Sequence, residues 1–412
     1  MNVMDVDVII VGGGPAGLAA AVQLKKNGVQ DIIVLEREKH PGGILRQCIH
    51  DGFGLTRFGQ SLSGPEYAQL FIDEAQALGV KIITDVTVTG ITSKKIVTTV
   101  SKAGTNCYQA KAVVLAMGCR ERTRGAIGIS GSRPAGVYNA GVAQSYINLH
   151  NIMVGKEVIV LGSGDIGMIM ARRLSLEGAK VKAVYELRPY PSGLPRNIEQ
   201  CLNDYNIPLY LSHTVTKIHG QDRIEGVTVC EVDENLDVVS GTEQYHRCDT
   251  LILSVGLIPE NELSCLAGVE LDQRTQGAVV DNHLQTGCSG IFAAGNVLHV
   301  HDLVDFVSLE AEKVADAVAE YLSKGKLLMA DISVRAGKNL GYVLPQKVSR
   351  ERDFTLSMRV RQPVSGGSIE VAQQGNVIKS IKLHKAIPAE MLHVKVLAAD
   401  IEPDKEIEVN II

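Results

Sequence analysis

The stretch Val8-Ile-Ile-Val-Gly12-Gly-Gly14-Pro15-Ala16-Gly17 decides the fold. Four apolar residues in a row read as a buried strand, and the glycines turn it sharply into a helix. A second apolar run, Ile32-Ile-Val-Leu-Glu36, ends in an acid. The plan then repeats. Val158-Ile-Val-Leu-Gly162-Ser-Gly164-Asp165-Ile166-Gly167 leads to Val181-Lys-Ala-Val-Tyr-Glu186. One such turn is a weak signal. Two, each with an acid roughly 20–25 positions on, point to one chain that holds two dinucleotides.

Both turns rest on the same physics. Gly12 and Gly162 allow the bend from strand into helix. Gly14 and Gly164 carry no Cβ, so a pyrophosphate can approach the backbone. Gly17 and Gly167 let the helix lie close to the strand. The helix start then offers N–H donors and the positive end of its dipole to phosphates. Pro15, Ala16, Asp165 and Ile166 supply those first-turn positions. Glu36 and Glu186 are placed to accept hydrogen bonds from an adenosine ribose.

A chain of 412 residues with 45% hydrophobic content has material for two or three cored domains. Trp is absent, aromatic residues make up 4%, and the formal charge is -5. These values argue against nucleic-acid partners. None of the 8 cysteines forms a C-x-x-C pair, so neither a redox dithiol nor a zinc knuckle is expected, and no metal. The N-terminus runs directly into the first strand, and no apolar run reaches the roughly 20 residues that span a bilayer. A cytoplasmic protein with no direct membrane insertion is the expectation.

Organisation follows from these landmarks. The pattern predicts an α/β protein with two Rossmann-like dinucleotide-binding domains, the second inserted in the first, and a C-terminal antiparallel β-domain. The expected spans are 1–119 with 275–328, 120–274, and 329–412. Helices are read at Gly17–Asn27, Gly64–Gly79 and Ile166–Glu177. In the second of these, Tyr67, Leu70, Phe71, Ala75 and Leu78 share a face. The strand Lys111–Gly118 has a counterpart in Asp249–Gly256, which argues for an internal duplication. Gly290-Ile-Phe-Ala-Ala-Gly295-Asn296 ends a strand and leads to a long helix, Asp302 to Leu322. From about 331 the pattern alternates in the manner of strands, as in Phe354–Val360 and Ile407–Ile411, which reads as a sandwich.

Together these residues resemble the pyridine nucleotide-disulfide oxidoreductase superfamily over residues 3 to about 325. The carriers are Gly12-x-Gly14-x-x-Gly17 with Glu36, Ala116-Met-Gly118, the second turn, and Gly295-Asn296. A narrower resemblance lies in Gly42-Gly43-Ile-Leu-Arg-Gln-Cys48-Ile-His50, Gly118-Cys-Arg120-Glu-Arg122 and His299-Val-His301-Asp302. It is to a bacterial flavoprotein associated with an anaerobic-type glycerol-3-phosphate dehydrogenase, and to the nucleotide-binding subunits of heteromeric sarcosine, opine and hydroxyproline dehydrogenases. The resemblance implies FAD in the first domain and NAD(H) in the second, and the Glu186 carboxylate favours NAD(H) over NADP(H) by repelling a 2′-phosphate, a repulsion that Arg188 two residues on could blunt. It also implies work within a multi-subunit complex. On this basis Arg37, Gly43, Val88, Ala116, Gly118, Gly295 and Asn296 join the FAD contacts, and Gly256 those of the second nucleotide. The family usually has Asp where this chain has Asn296.

The expected function is hydride transfer between NAD(H) and FAD, as an electron relay to a partner dehydrogenase. The C-terminal domain would serve for docking or for homo-oligomer contacts. Cys48, His50 and His301 are the candidate catalytic groups: one thiol where relatives place redox cysteines, and two imidazoles that titrate near neutrality. Cys48 reads either as a redox thiol or as a packing residue of the flavin pocket. The cluster Arg120, Arg122 and Arg124 could meet pyrophosphate, a substrate carboxylate or solvent. Two further readings stay open: a stand-alone NADH oxidase or peroxidase using Cys48, and a non-redox nucleotide-binding subunit of a heteromeric amine or amino-acid dehydrogenase.

Overall fold

The computed structural model of the chain describes residues 3–328 and 330–412. The first turn sits in a seven-stranded sheet. Its strands are β1 (Val3–Val11), β2 (Ile32–Leu35), β3 (Lys81–Ile83), β4 (Thr87–Ile91), β5 (Ile96–Ser101), β6 (Gly104–Leu115) and the strand Ile291–Ala293. The order is β3-β2-β1-β6-β5-β4, and Ile291–Ala293 adds to β6. The pairs around β1 are parallel. Parallel strands covered on both faces need unbroken apolar runs, and Val8–Val11 and Ala112–Leu115 supply them. Helix α1 (Pro15–Lys26) crosses the sheet on a face built from Leu18, Ala19, Ala20, Ala21 and Leu24, all buried. The short alanines let the long helix Val304–Lys324 pack beside it.

Helix α2 (Gly64–Ala77) opens with a capping box between Ser63 and Glu66. Its buried face holds Tyr67, Ala68, Phe71 and Ala75. Leu70 and Leu78, expected on that face, are 38% and 37% exposed. The true stripe is narrower, because Phe58 caps it edge-on against Tyr67 and Phe71.

The chain divides into two compact units. The second is the excursion Arg120–Ile258, and the first contains everything on either side. The excursion thus closes at Ile258, not at 274. Residues from Pro259 return to the first unit, where the short helix Glu262–Leu266 packs on β4. Within the second unit a five-stranded parallel sheet runs Leu209–Tyr210, Lys180–Tyr185, Glu157–Leu161, Thr250–Leu253, Val137–Asn139. The helix Asp165–Leu176 follows its Gly turn. A four-stranded sheet centred on His213–His219 and Gly226–Glu231 completes it.

The C-terminal residues build a five-stranded and a three-stranded sheet around Leu356, Met358, Val371, Val394 and Val409. Along Phe354–Val360 buried and partly exposed residues alternate without a break. The domain is not wholly antiparallel: Ile332–Ala336 and Ile407–Ile411, its outermost strands in sequence, pair in parallel. A parallel pair needs a long crossover, and the intervening strands provide it.

The long helix starts at Val304, so His301 and Asp302 do not begin it. Asp302 is no cap. Its Oδ2 accepts from the Met391 amide at 3.2 Å, and its Oδ1 lies 3.9 Å from Arg359. Across the described residues no helix is long and apolar enough to cross a membrane.

Phe71 is 1% exposed and packs edge-on against Phe58. Phe71→Ala is expected to destabilise the first unit by about 3–5 kcal/mol, read from chemical denaturation. A loss below about 1 kcal/mol would contradict this packing.

Candidate functional site

At the first turn, α1 begins at Gly14 with no side-chain cap, and Pro15 removes one N–H from its first turn. The remaining early N–H groups, those of Ala16 and Gly17, face outward without an intrahelical partner. A Cβ on Gly12 would stand 2.4 Å from the Ala116 carbonyl oxygen, and one on Gly17 1.8 Å from that of Gly12. Gly14 differs: a Cβ there meets nothing nearer than the Gly43 Cα at 3.8 Å. The fold therefore requires glycine at 12 and 17, whereas at 14 a methyl would fit in ordinary van der Waals contact at the helix start.

Glu36 is buried and braces this turn. Its Oε2 accepts from the Gly13 amide at 2.7 Å and its Oε1 from the Glu38 amide at 2.8 Å. Each oxygen keeps a further lone pair for a hydroxyl. The second turn repeats the device. Glu186 Oε2 accepts from the Ser163 amide at 2.9 Å, and its Oε1 from the Arg188 amide at 3.0 Å. Here Oε2 also takes the hydroxyls of Ser163 (2.5 Å) and Ser192 (2.8 Å), so less of it remains for a ligand. Asp165, in the first turn of its helix, accepts from the Leu194 amide and from Asn197. The strap 192–194 is thereby folded onto the turn. The helix start at Gly164 has no side-chain cap of its own. Sequence reasoning found both glutamates but not their bracing role, which no spacing rule encodes.

The other expected positions fall as follows. Val88 lies on β4, and Ala116 and Gly118 follow β6. Gly43 opens a short 3-10 turn, Gly43–Gln47, and touches Gly14. Arg37 is exposed at 4.0 Å from Glu38. Gly256, in the second unit, has positive φ and faces the Arg122 side chain. Arg124 is structural: its guanidinium holds the carbonyls of Ile129, Ser130, Gly131 and Ser132. Cys48 closes the 3-10 turn, and its thiol donates to the Ile44 carbonyl at 3.4 Å. His50 packs at a tilt against Phe53 and contacts the Asp51 carbonyl. No disulfide occurs among the described cysteines.

Around Gly295 and Asn296 the side chains converge. Asn296 Oδ1 accepts from the His301 amide at 3.0 Å, and its Nδ2 donates to the Cys119 sulfur at 3.6 Å. Glu310 Oε1 accepts from the Gly295 amide at 2.8 Å. Its Oε2 takes His299 Nε2 at 2.8 Å and lies 3.4 Å from His301 Nε2. His299 Nδ1 meets the Tyr342 hydroxyl at 3.2 Å. Glu310 was missed in the sequence, because an acid flanking an apolar helical stripe reads as solvated surface.

The charges in this cluster are interdependent. Burial pushes the Glu310 carboxyl up, but His301 and His299 beside it more than offset that and hold it well below the usual carboxylate range. Burial, with His301 adjacent, depresses His299 below the usual imidazole range. A neutral His299 donating from Nε2 and accepting at Nδ1 satisfies both neighbours. Burial raises Tyr342 to about 12, so it remains the donor.

The pyridine nucleotide-disulphide oxidoreductase family model matches residues 6–320. The chain belongs to this family. Its members are flavin-dependent oxidoreductases that use FAD and NAD(P)H. A thioredoxin reductase of Treponema pallidum (strain Nichols) is 28% identical over 293 residues, covering 71% of this chain and 89% of that one. Hydrogen cyanide synthase subunit HcnB of Pseudomonas protegens is 25% identical over 289 residues, covering 65% of this chain and 60% of that one. Among solved structures, the thioredoxin reductase of T. acidophilum superposes with a TM-score of 0.64 at 26% identity, over 77% of this chain and 98% of that chain.

The first turn fits the family's FAD. The missing Cβ at Gly14, the uncapped helix start and the two free lone-pair directions of Glu36 suit a pyrophosphate and a ribose. Gly14→Ala separates fold from cofactor. The new methyl finds room in the protein itself, so the unfolding temperature of the flavin-free protein stays near wild type. FAD affinity is expected to fall tenfold or more, about 1.4 kcal/mol. Unchanged flavin binding would place the pyrophosphate elsewhere.

The cluster also sets acid sensitivity. His299 lies below its ordinary 6.5 when folded, so the unfolded chain binds a proton there that the folded chain does not. Stability therefore falls as pH drops below 6.5. For Glu310, the stabilisation is present above its ordinary 4.5 and is lost as pH falls further. Thermal unfolding against pH should show both declines. His299→Asn is expected to flatten the first and Glu310→Gln the second; slopes identical to wild type would contradict the assignment.

Proposed function

We propose that the protein relays electron pairs between NADH and a partner dehydrogenase, through FAD held at the first turn. FAD, when bound, supplies the hydride acceptor and donor. The chain's own work is to anchor the pyrophosphate on α1, receive the ribose at Glu36, and hold Asn296 and His301 in place beside Gly295. His301 is the group we assign to proton movement, and Glu310 orients it. The NAD(H) site is assigned to the turn at Gly162, Gly164 and Gly167.

The observation that carries the relay is the cysteine arrangement. Cys48 closes a turn with its thiol on a backbone carbonyl, and the sequence holds no C-x-x-C pair. A dithiol step of the thioredoxin reductase kind lacks its second sulfur. The C-terminal β-domain lies beyond the family match, and we assign it to docking. The subunit status of the similar HcnB supports a heteromeric arrangement, and a glycerol-3-phosphate dehydrogenase is the partner we favour. The absence of disulfides among the described cysteines fits a cytoplasmic setting.

Purification from the native host under mild conditions should bring down a dehydrogenase subunit whose substrate reduces NAD⁺ only in the complex. Cys48→Ser should leave NADH-dependent dye reduction within about twofold. Loss of that turnover would instead favour the Cys48 oxidase or peroxidase. The Glu186 carboxylate should set coenzyme choice by repelling a 2′-phosphate. Binding of NADH at least tenfold tighter than NADPH, about 1.4 kcal/mol, is expected. Equal affinities would contradict the role given to Glu186.

A further inference from the structure

A cavity of 600 Å³ lies between the long helix and the C-terminal β-domain, both within the first unit. One wall is a single face of the helix, including Phe306, Leu309, Lys313 and Ala317. The opposite wall is the start of the strand Phe354–Val360 with the segment before it. The loop 282–284 closes one side, and His301 and Glu310 reach its edge. A space of this size suits a small organic molecule.

The hydrogen bonds around it are unevenly matched. Every carboxylate in the walls already has partners inside the protein. Glu312 takes Arg57 at 2.7 Å, Asp316 takes Gln23 and Asn27, and Asp353 takes the Ala398 amide and Lys395. Glu310 is occupied by Gly295 and His299. The donors are not so served. His283 is 3% exposed, yet neither ring nitrogen has a hydrogen-bond partner, and the nearest carboxylate, Glu351, stands 3.7 Å from Nε2. Whatever its tautomer, at least one ring N–H is orphaned. Asn282 uses its Oδ1 to accept from the Ser349 amide, which fixes the amide orientation and leaves the buried Nδ2 without an acceptor. Lys313 lines the same space and forms no ion pair among the described residues.

Buried donors without acceptors are costly and are rarely left so. Two of them, on His283 and Asn282, line one cavity together with the exposed ammonium of Lys313, and this set of donors calls for a ligand rich in acceptors and negatively charged. We propose that this cavity binds a small organic oxyanion, a carboxylate or a phosphate, on His283, Asn282 and Lys313. The site is separate from the dinucleotide turns and does not depend on the relay.

The test is titration calorimetry of the full-length flavoprotein with succinate and with inorganic phosphate, backed by thermal unfolding against chloride at equal ionic strength. Saturable binding of one or both is expected, and the stronger of the two identifies the oxyanion class. Lys313→Ala should weaken it at least tenfold. Asn282→Asp, which keeps the acceptor for Ser349 but adds a negative charge, should abolish it. No binding of either probe overturns the proposal. So does a stabilisation by phosphate that both variants retain, since that is the general salting effect of the anion.

Discussion

Both Gly turns depend on a close approach made where a side chain is missing. A methyl on Gly17 would stand 1.8 Å from the carbonyl oxygen of Gly12, and one on Gly167 2.5 Å from that of Gly162. Because these atoms are absent, each helix can sit directly over the end of its strand. That placement presents the helix start, with its unmet N–H groups and positive dipole end, to the same spot in both units. An ordinary helix would cap that start with a serine, threonine or acid, at a gain of about 1 kcal/mol. Here both caps are glycine with no side-chain partner. The local loss of stability is what a phosphate would recover.

The two glutamates make the duplication visible at atomic scale. Glu36 and Glu186 close their second strands and reach back to the amide of the residue after the first glycine, Gly13 or Ser163. Each also takes the amide two residues onward. The carboxylate is therefore part of the turn before it is part of any ligand site. The halves then diverge. Glu36 keeps capacity on both oxygens, whereas Glu186 is further bound by Ser163 and Ser192. A resident cofactor at the first turn and an exchanging one at the second agree with that difference.

What the sequence made legible follows from local physics. The apolar runs, the Gly turns and the alternating C-terminal strands are short-range patterns, and they fell into place. The helix of Asp165–Leu176 begins one residue from its expected start, and the strand Phe354–Val360 matches throughout. What stayed hidden depends on distant partners. Asp302 reads as the first residue of the long helix but serves Met391 and Arg359, far along the chain. Glu310 carries no mark in the sequence, yet it is held by two histidines and a backbone amide. The end of the inserted unit at Ile258 carries no composition change that marks it. The parallel pairing of the domain's outer strands is likewise a property of the whole domain.

Two coenzymes meeting on one polypeptide is the claim on which the account rests, and anaerobic mixing of the purified yellow protein with NADH examines it most directly. The flavin absorbance should bleach at one NADH per flavin, and adding excess NAD⁺ should return part of it as the hydride passes back from the reduced flavin. A protein that retains no flavin, or whose flavin stays oxidised under excess NADH, would contradict it.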